Sequence, residues 1–108
     1  MTFLLRDDPT RKLIHDELVA QAAQYLELRG WLVFRSHGPR NRPRDPGITD
    51  IIAMRRSANL LIEVKVGRDK QSRGQFDFLD KAIRCGLQVY VVRSIDDVIR
   101  IPDIGGAE

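Results

Sequence analysis

Leu60-Leu61-Ile62-Glu63-Val64-Lys65-Val66 has the period of a β-strand: Leu60, Ile62, Val64 and Val66 point to one face, Glu63 and Lys65 to the other. Working outward, Asp50-Ile51-Ile52-Ala53-Met54 reads as the preceding strand, with Arg55 to Asn59 as the turn. A two-residue loop at Ser57-Ala58 pairs Asp50 with Lys65 and sets it diagonal to Glu63, all on one face. A slip of one residue would break that arrangement, so the inference hangs on register. Gly47-Ile48-Thr49 leads into Asp50 as a turn.

Two carboxylates about 5 Å apart repel by roughly 3 kcal/mol at an effective dielectric of about 20. Either one stays protonated or a cation sits between them. Oxygen ligands on a shallow surface suit Mg²⁺ or Mn²⁺, which keep several waters and take one or two carboxylates. A lysine two residues on would orient or deprotonate an attacking water. The competing reading is a Glu63–Lys65 salt bridge on a solvated strand face, with Asp50 as a strand-end cap.

At 108 residues the chain is expected to form one domain, 1–108, just large enough for a single core. It contains no apolar run long enough to span a membrane, and its first residues lack the pattern of a signal peptide. The single cysteine, Cys85, cannot form an internal disulfide and reads as a small core residue; a cytoplasmic location is the expectation. Net charge is only +3, yet ten Lys/Arg face four acids between Arg35 and Arg73. That excess surrounds the carboxylates, and a polyanion such as nucleic acid is the natural partner. Arg35, Arg40, Arg42, Arg44, Arg68, Lys70 and Arg73 are the candidate phosphate contacts. No helix carries a face suited to base readout in a major groove, so these contacts hold phosphates rather than sequence.

The first helix is expected from Asp8-Pro9 to Gly30, burying Ile14, Leu18, Ala22, Tyr25 and Leu26, with Glu17 and Gln21 at the edge of that stripe and His15 on the surface. Strand Trp31–Ser36 follows, then the polar segment 37–46, a basic loop with three prolines and three arginines. Ser72-Arg73-Gly74-Gln75 matches a capping box opening a helix that buries Phe76, Leu79 and Ile83 and ends at Gly86. Leu87–Arg93 is the last strand, Ser94 caps a short final helix, and 103–108 is a frayed tail. The helix between the third and fourth strands makes that pair parallel, giving an α/β fold with a mixed sheet flanked by helices.

This order of elements and residues resembles the PD-(D/E)XK nucleases, and within them the VRR-NUC (virus-type replication-repair nuclease) family. The resemblance runs from about Asp16 to Val98: Glu17, Tyr25-Leu26-Glu27-Leu28-Arg29-Gly30-Trp31, Arg35, Gly47-Ile48-Thr49-Asp50, Ile62-Glu63-Val64-Lys65, Gln75-Phe76 with Phe78-Leu79, Gly86, and Val89-Tyr90-Val91-Val92. It implies an α-β-β-β-α-β restriction-endonuclease-like core and Mg²⁺- or Mn²⁺-dependent hydrolysis of phosphodiester bonds, in a small nuclease of a type found in phages and bacteria. Carried over by position, Asp50, Glu63 and the Val64 carbonyl would bind the metal, Glu17 would complete its surroundings from the first helix, and Lys65 would act on water and the transition state. Gln75 matches the family's glutamine near the active site, with the capping box as its other reading. Thr49 stands where the family shows Pro or Ser.

The implied substrate is DNA, with branched, flapped or four-way junctions favoured, cut by a homodimer that works beside a replication or repair partner. Two rivals remain: a DNA-binding module that keeps the nuclease fold without cutting, and a nuclease that needs a partner protein for activity. A site-specific endonuclease is disfavoured because the chain has no recognition insertion.

Overall fold

The computed structural model describes residues 9–36, 49–67 and 73–102. Its elements run α1 (Pro9–Leu28), β1 (Leu32–Arg35), β2 (Ile51–Arg55), β3 (Ala58–Val64), α2 (Arg73–Arg84), β4 (Gln88–Val92) and α3 (Ile95–Ile99). The basic loop 37–46, Arg68, Lys70, the capping residue Ser72 and the tail 103–108 lie outside the described residues, as do the side chains of Arg73 and Gln75.

The four strands form one sheet in the order β1-β2-β3-β4. β1–β2 and β2–β3 are antiparallel hairpin-type pairs. β3 and β4 are parallel, as a helical crossover between them requires. The fold is therefore the mixed, helix-flanked α/β arrangement expected from the sequence.

The register of β2 on β3 differs from the expected one. Ile51 pairs with Ile62 and Arg55 with Ala58, so the turn residues are Arg56 and Ser57 rather than Ser57 and Ala58. Arg56 takes φ 54°, the positive value that a primed two-residue hairpin turn needs at its first central position. Every pairing moves by two residues. A shift of two preserves which face each side chain occupies, so Asp50, next in line beyond Ile51, comes opposite Glu63 instead of Lys65 and stays on the same face.

Both faces of β3 are covered. Ile51, Ala53, Leu60, Ile62 and Val64 pack with Leu18, Val19, Ala22, Ala23 and Leu26 of α1, and with Trp31, Val92, Val98 and Ile101. Burying a large aliphatic side chain such as Leu26 or Ile62 contributes about 1.5–3 kcal/mol, so this layer carries the fold. On the other face Leu61 is buried, and α2, packed on β4, buries Leu79 and Ala82.

Several packing expectations are corrected. The buried stripe of α1 is Leu18, Val19, Ala22, Ala23 and Leu26, rotated from the expected one, which leaves Ile14 exposed. α2 buries Leu79 and Ala82 while Phe76 and Ile83 are each 60% exposed, and Cys85 is exposed rather than core. Both long helices end in the same device. Gly30 (φ 91°) donates to Glu27 O and Trp31 N to Leu26 O; Gly86 (φ 86°) donates to Ile83 O and Leu87 N to Ala82 O. These paired bonds satisfy the last carbonyls, and the left-handed position favours glycine. The Arg55 guanidinium stacks 4.7 Å from the Trp31 ring centre and donates to Arg29 O, tying β2 to the end of α1.

Candidate active site

β2 ends at Ile51, and the chain bends at Asp50 while β3 continues. Beyond Ile51 the ladder has no strand residue to accept from β3. The Asp50 side chain takes that place: Oδ2 accepts the Val64 backbone N–H at 2.8 Å. The Asp50 backbone carbonyl accepts from Ser36 N at 2.9 Å, which anchors the residue to the end of β1 as well. Thr49, fully buried, donates its hydroxyl to Ile51 O at 3.2 Å and shapes the bend. Asp50 is thus held from both neighbouring strands.

Glu63 faces Val91 across the parallel pair, and the Lys65 backbone N–H bonds Val92 O at 2.9 Å, extending the ladder past Val64. Lys65 Nζ lies 3.2 Å from Glu63 Oε2. Asp50 and Glu63 are each only 4% exposed and Lys65 6%. A salt bridge on a solvated strand face is therefore ruled out as the description of this pair. Burial first, and the Asp50 charge second, push the Glu63 carboxyl above its ordinary 4.5; Lys65 and His15 pull it back only in part.

His15 is the residue the sequence reading misplaced. It is half-buried, with Nε2 3.4 Å from Asp50 Oδ2 and Nδ1 3.4 Å from Asp16 Oδ1. The contact with Asp50 holds the imidazole pKa above its usual 6.5, against the lowering effect of burial, and Asp16 adds in the same direction. The signal was present in the spacing: positions 15, 18, 19, 22 and 26 form one helical stripe, and His15 opens it. Glu17, two residues on and so roughly 200° around the helix from His15, is exposed. Of the expected site residues, Asp50, Glu63, Val64 and Lys65 converge; Arg35 stands exposed at the end of β1, and Glu17 is not among the converging set.

Asp50 and Glu63 are the residues that could hold a divalent cation. Two carboxylates from neighbouring strands are buried side by side, and burial first, with the neighbouring Asp50 charge second, raises the Glu63 pKa. Hard carboxylate oxygen donors are of the type that Mg²⁺ or Mn²⁺ takes. Among the described residues no three His, Cys, Asp or Glu side chains stand, as placed, close enough together to enclose an ion. The described arrangement is one in which Lys65 and His15 attend the carboxylates.

No protein-family model matches the chain. No curated protein matches it either. Among solved structures it is similar to one described as a "VRR_NUC domain", with a TM-score of 0.64, 24% sequence identity, and an alignment covering 80% of this chain and 90% of that one. The chain thus shares the fold of that domain, in agreement with the fold that the resemblance of its motifs implies. Among the described residues no helix is long and apolar enough to cross a membrane.

Proposed function

We propose that this chain is a divalent-metal-dependent deoxyribonuclease of the VRR-NUC type. The observation that carries the reading is the burial of Asp50, Glu63 and Lys65 together at the ends of β2 and β3. Buried ion clusters contribute little net stability, and apolar residues of similar size serve a core as well or better. A cluster retained at a strand-end bend, with one carboxyl held above its usual range, fits a chemical role better than a structural one.

In this reading Asp50, Glu63 and the Val64 carbonyl would hold the ion. The bound metal would supply charge stabilisation at the phosphate and a more acidic water. Asp50 arrives oriented, because Val64 N–H and the Ser36 bond fix its side chain and backbone. Lys65 Nζ, 3.2 Å from Glu63 Oε2, would orient the attacking water or donate to the phosphate oxygen that gains charge. Gln75, at the start of α2, is proposed to assist from the helix. Arg35, Arg40, Arg42, Arg44, Arg68, Lys70 and Arg73 supply the phosphate grip in this reading, which favours DNA recognised by shape. Branched, flapped or junction DNA is the proposed preference, and a homodimer the proposed assembly, since pairing would bring two sites to one junction.

Labelled four-way, flapped, single-stranded and linear duplex DNA, incubated with Mg²⁺, Mn²⁺ or EDTA beside a Lys65→Ala variant, tests this. Metal-dependent cutting that Lys65→Ala abolishes is the expected result, and the species cut names the substrate class. Binding without cutting would instead mark a non-catalytic module or a missing partner protein. A strictly monomeric chain at micromolar concentration would rule out paired incision.

A further inference from the structure

We propose that the uncovered face of β1 and β2 is a stacking platform for unpaired DNA bases, with Phe34 as the ring on which a base beside the cut phosphate rests. The inference rests on the nuclease reading for the identity of its partner, and it concerns binding rather than cleavage. Three observations carry it.

The first is the face itself. Ile51 and Ala53 lie in the core shared with α1, so by strand alternation Ile52 and Met54 point the other way. Leu32 pairs with Met54 and Phe34 with Ile52, which sets both β1 residues on that second face. Val33, between them, packs on the core side. Among the described residues α1 is the helix that packs on β1 and β2, and it lies on the core side; α2 packs on β4. Leu32 is accordingly 60% exposed, Phe34 50% and Met54 40%. A lone exposed apolar side chain is ordinary, whereas a contiguous group on one sheet face marks a contact surface.

The second is where the face leads. Ser36 N–H donates to Asp50 O at 2.9 Å and carries the β1–β2 ladder one step past Arg35 and Ile51. Phe34, two residues before Ser36, therefore stands diagonal to Asp50, about 7–8 Å away across the strands. A nucleotide whose phosphate meets the strand-end carboxylates can lay its neighbouring base on that ring. The third is charge. Along β1 and the β2–β3 hairpin the charged side chains that reach solvent are Arg35, Arg55 and Arg56, while the acids Asp50 and Glu63 are buried. An apolar face rimmed by cations suits a partner with an anionic backbone and flat, apolar-faced bases, and single strands are held by this combination of rings and positive charge. A second copy of this chain on the same face would bring its own arginines to the rim, at a cost in like-charge repulsion. A duplex keeps its bases stacked on one another and offers Phe34 none.

The test uses the full chain in EDTA, so that no strand is cut. Fluorescence anisotropy measures the affinity of wild type, Phe34→Ala, Phe34→Leu, Phe34→Trp and Leu28→Ala for a dye-labelled oligothymidylate, for the same backbone without bases, and for a duplex of equal length. Wild type should bind oligothymidylate more tightly than the abasic strand. Phe34→Ala should weaken oligothymidylate binding by about 5- to 150-fold, the value of one base–aromatic stack, and leave the abasic strand and the duplex unchanged. Phe34→Leu, which keeps an apolar surface without a ring, should lose affinity as well, and Phe34→Trp should retain it. Leu28→Ala, an exposed apolar residue at the end of α1, should bind as wild type does. Equal oligothymidylate affinity in wild type and Phe34→Ala, a loss shared by the abasic strand and the duplex, or a wild type indifferent to the presence of bases would overturn the proposal. So would a wild-type dimer in sedimentation that Phe34→Ala turns into a monomer, because a second copy then occupies the face. Cleavage with Mg²⁺ tests the nuclease reading separately: metal-dependent cutting with base-indifferent binding removes the platform and leaves the enzyme, and base-dependent binding without cutting does the reverse. A thermal melt of each variant separates loss of a contact from loss of the fold.

Discussion

Replacing Lys65 by methionine should expose the strain that the buried carboxylates place on this fold. Lys65 Nζ stands 3.2 Å from Glu63 Oε2, with the two side chains 8% and 5% exposed. At an effective dielectric of about 20 that separation corresponds to roughly 5 kcal/mol of attraction. Removing one partner of a buried pair costs about 3–5 kcal/mol, because the other charge stays buried without it. His15 and the partial escape of Glu63 into its protonated form offset some of this, so Lys65→Met should lose about 3 kcal/mol at pH 8. For a domain near this size the melting temperature falls by roughly 12–24 °C. The sign of the pH effect follows from Glu63, whose pKa is already raised by burial and by Asp50 and loses the cation that lowers it. The deficit is therefore full above the folded-state pKa, shrinks as pH falls through it, and vanishes only below 4.5, the ordinary value, where Glu63 is protonated in both states. Urea unfolding of wild type, Lys65→Met, Glu63→Gln and the double variant at pH 8 and pH 4.5 measures it. The double variant should return to within about 1 kcal/mol of wild type, since replacing both partners leaves no orphan charge. A Lys65→Met deficit under about 0.5 kcal/mol, or one equal at both pH values, would refute the reasoning.

Glu17→Gln should leave metal affinity and DNA cutting at wild-type levels, because Glu17 is exposed and lies around the helix from His15; a loss in either assay would return it to the site. In metal-free protein His15 and Glu63 both have raised pKa values, so their contributions are largest at low pH and are lost as pH rises through the folded values. The stability difference between wild type and His15→Gln should accordingly shrink between pH 5 and pH 9, followed by denaturant titration. Ser94 Oγ accepts the Asp97 N–H at 3.3 Å as the N-cap of α3, which buries Val98 against the core. Ser94→Ala should cost about 1 kcal/mol in the same measurement.

The pairing of a charged period-two strand with a preceding apolar one was legible, and so was the parallel β3–β4 pair, because a helix between two strands leaves little choice. Register was not, for a local reason. The turn places Arg56, rather than a Gly or Asn, in the left-handed region, so no turn residue marked the loop. The carboxylate face survived that error only because the displacement was even. On α1 Leu18, Ala22 and Leu26 were placed correctly, but Ile14 drew the stripe to one side and the buried Val19 and Ala23 were missed. That shift hid His15 and set Glu17 at the edge of the expected stripe, whereas it is exposed. On α2 the large residues Phe76 and Ile83 misled, since the buried residues are Leu79 and the small Ala82.

The Asp50 carboxylate bonds a backbone amide where the ladder would otherwise run on. Strand closure and site assembly are therefore a single event in time. A chain still leaving the ribosome, or a segment transiently melted, has the two acids but not their juxtaposition until the hairpin around Arg56 and Ser57 zips to its open end. In the proposed reading, metal capture would report completed folding, and a half-folded chain would lack the means to cut the nucleic acid around it.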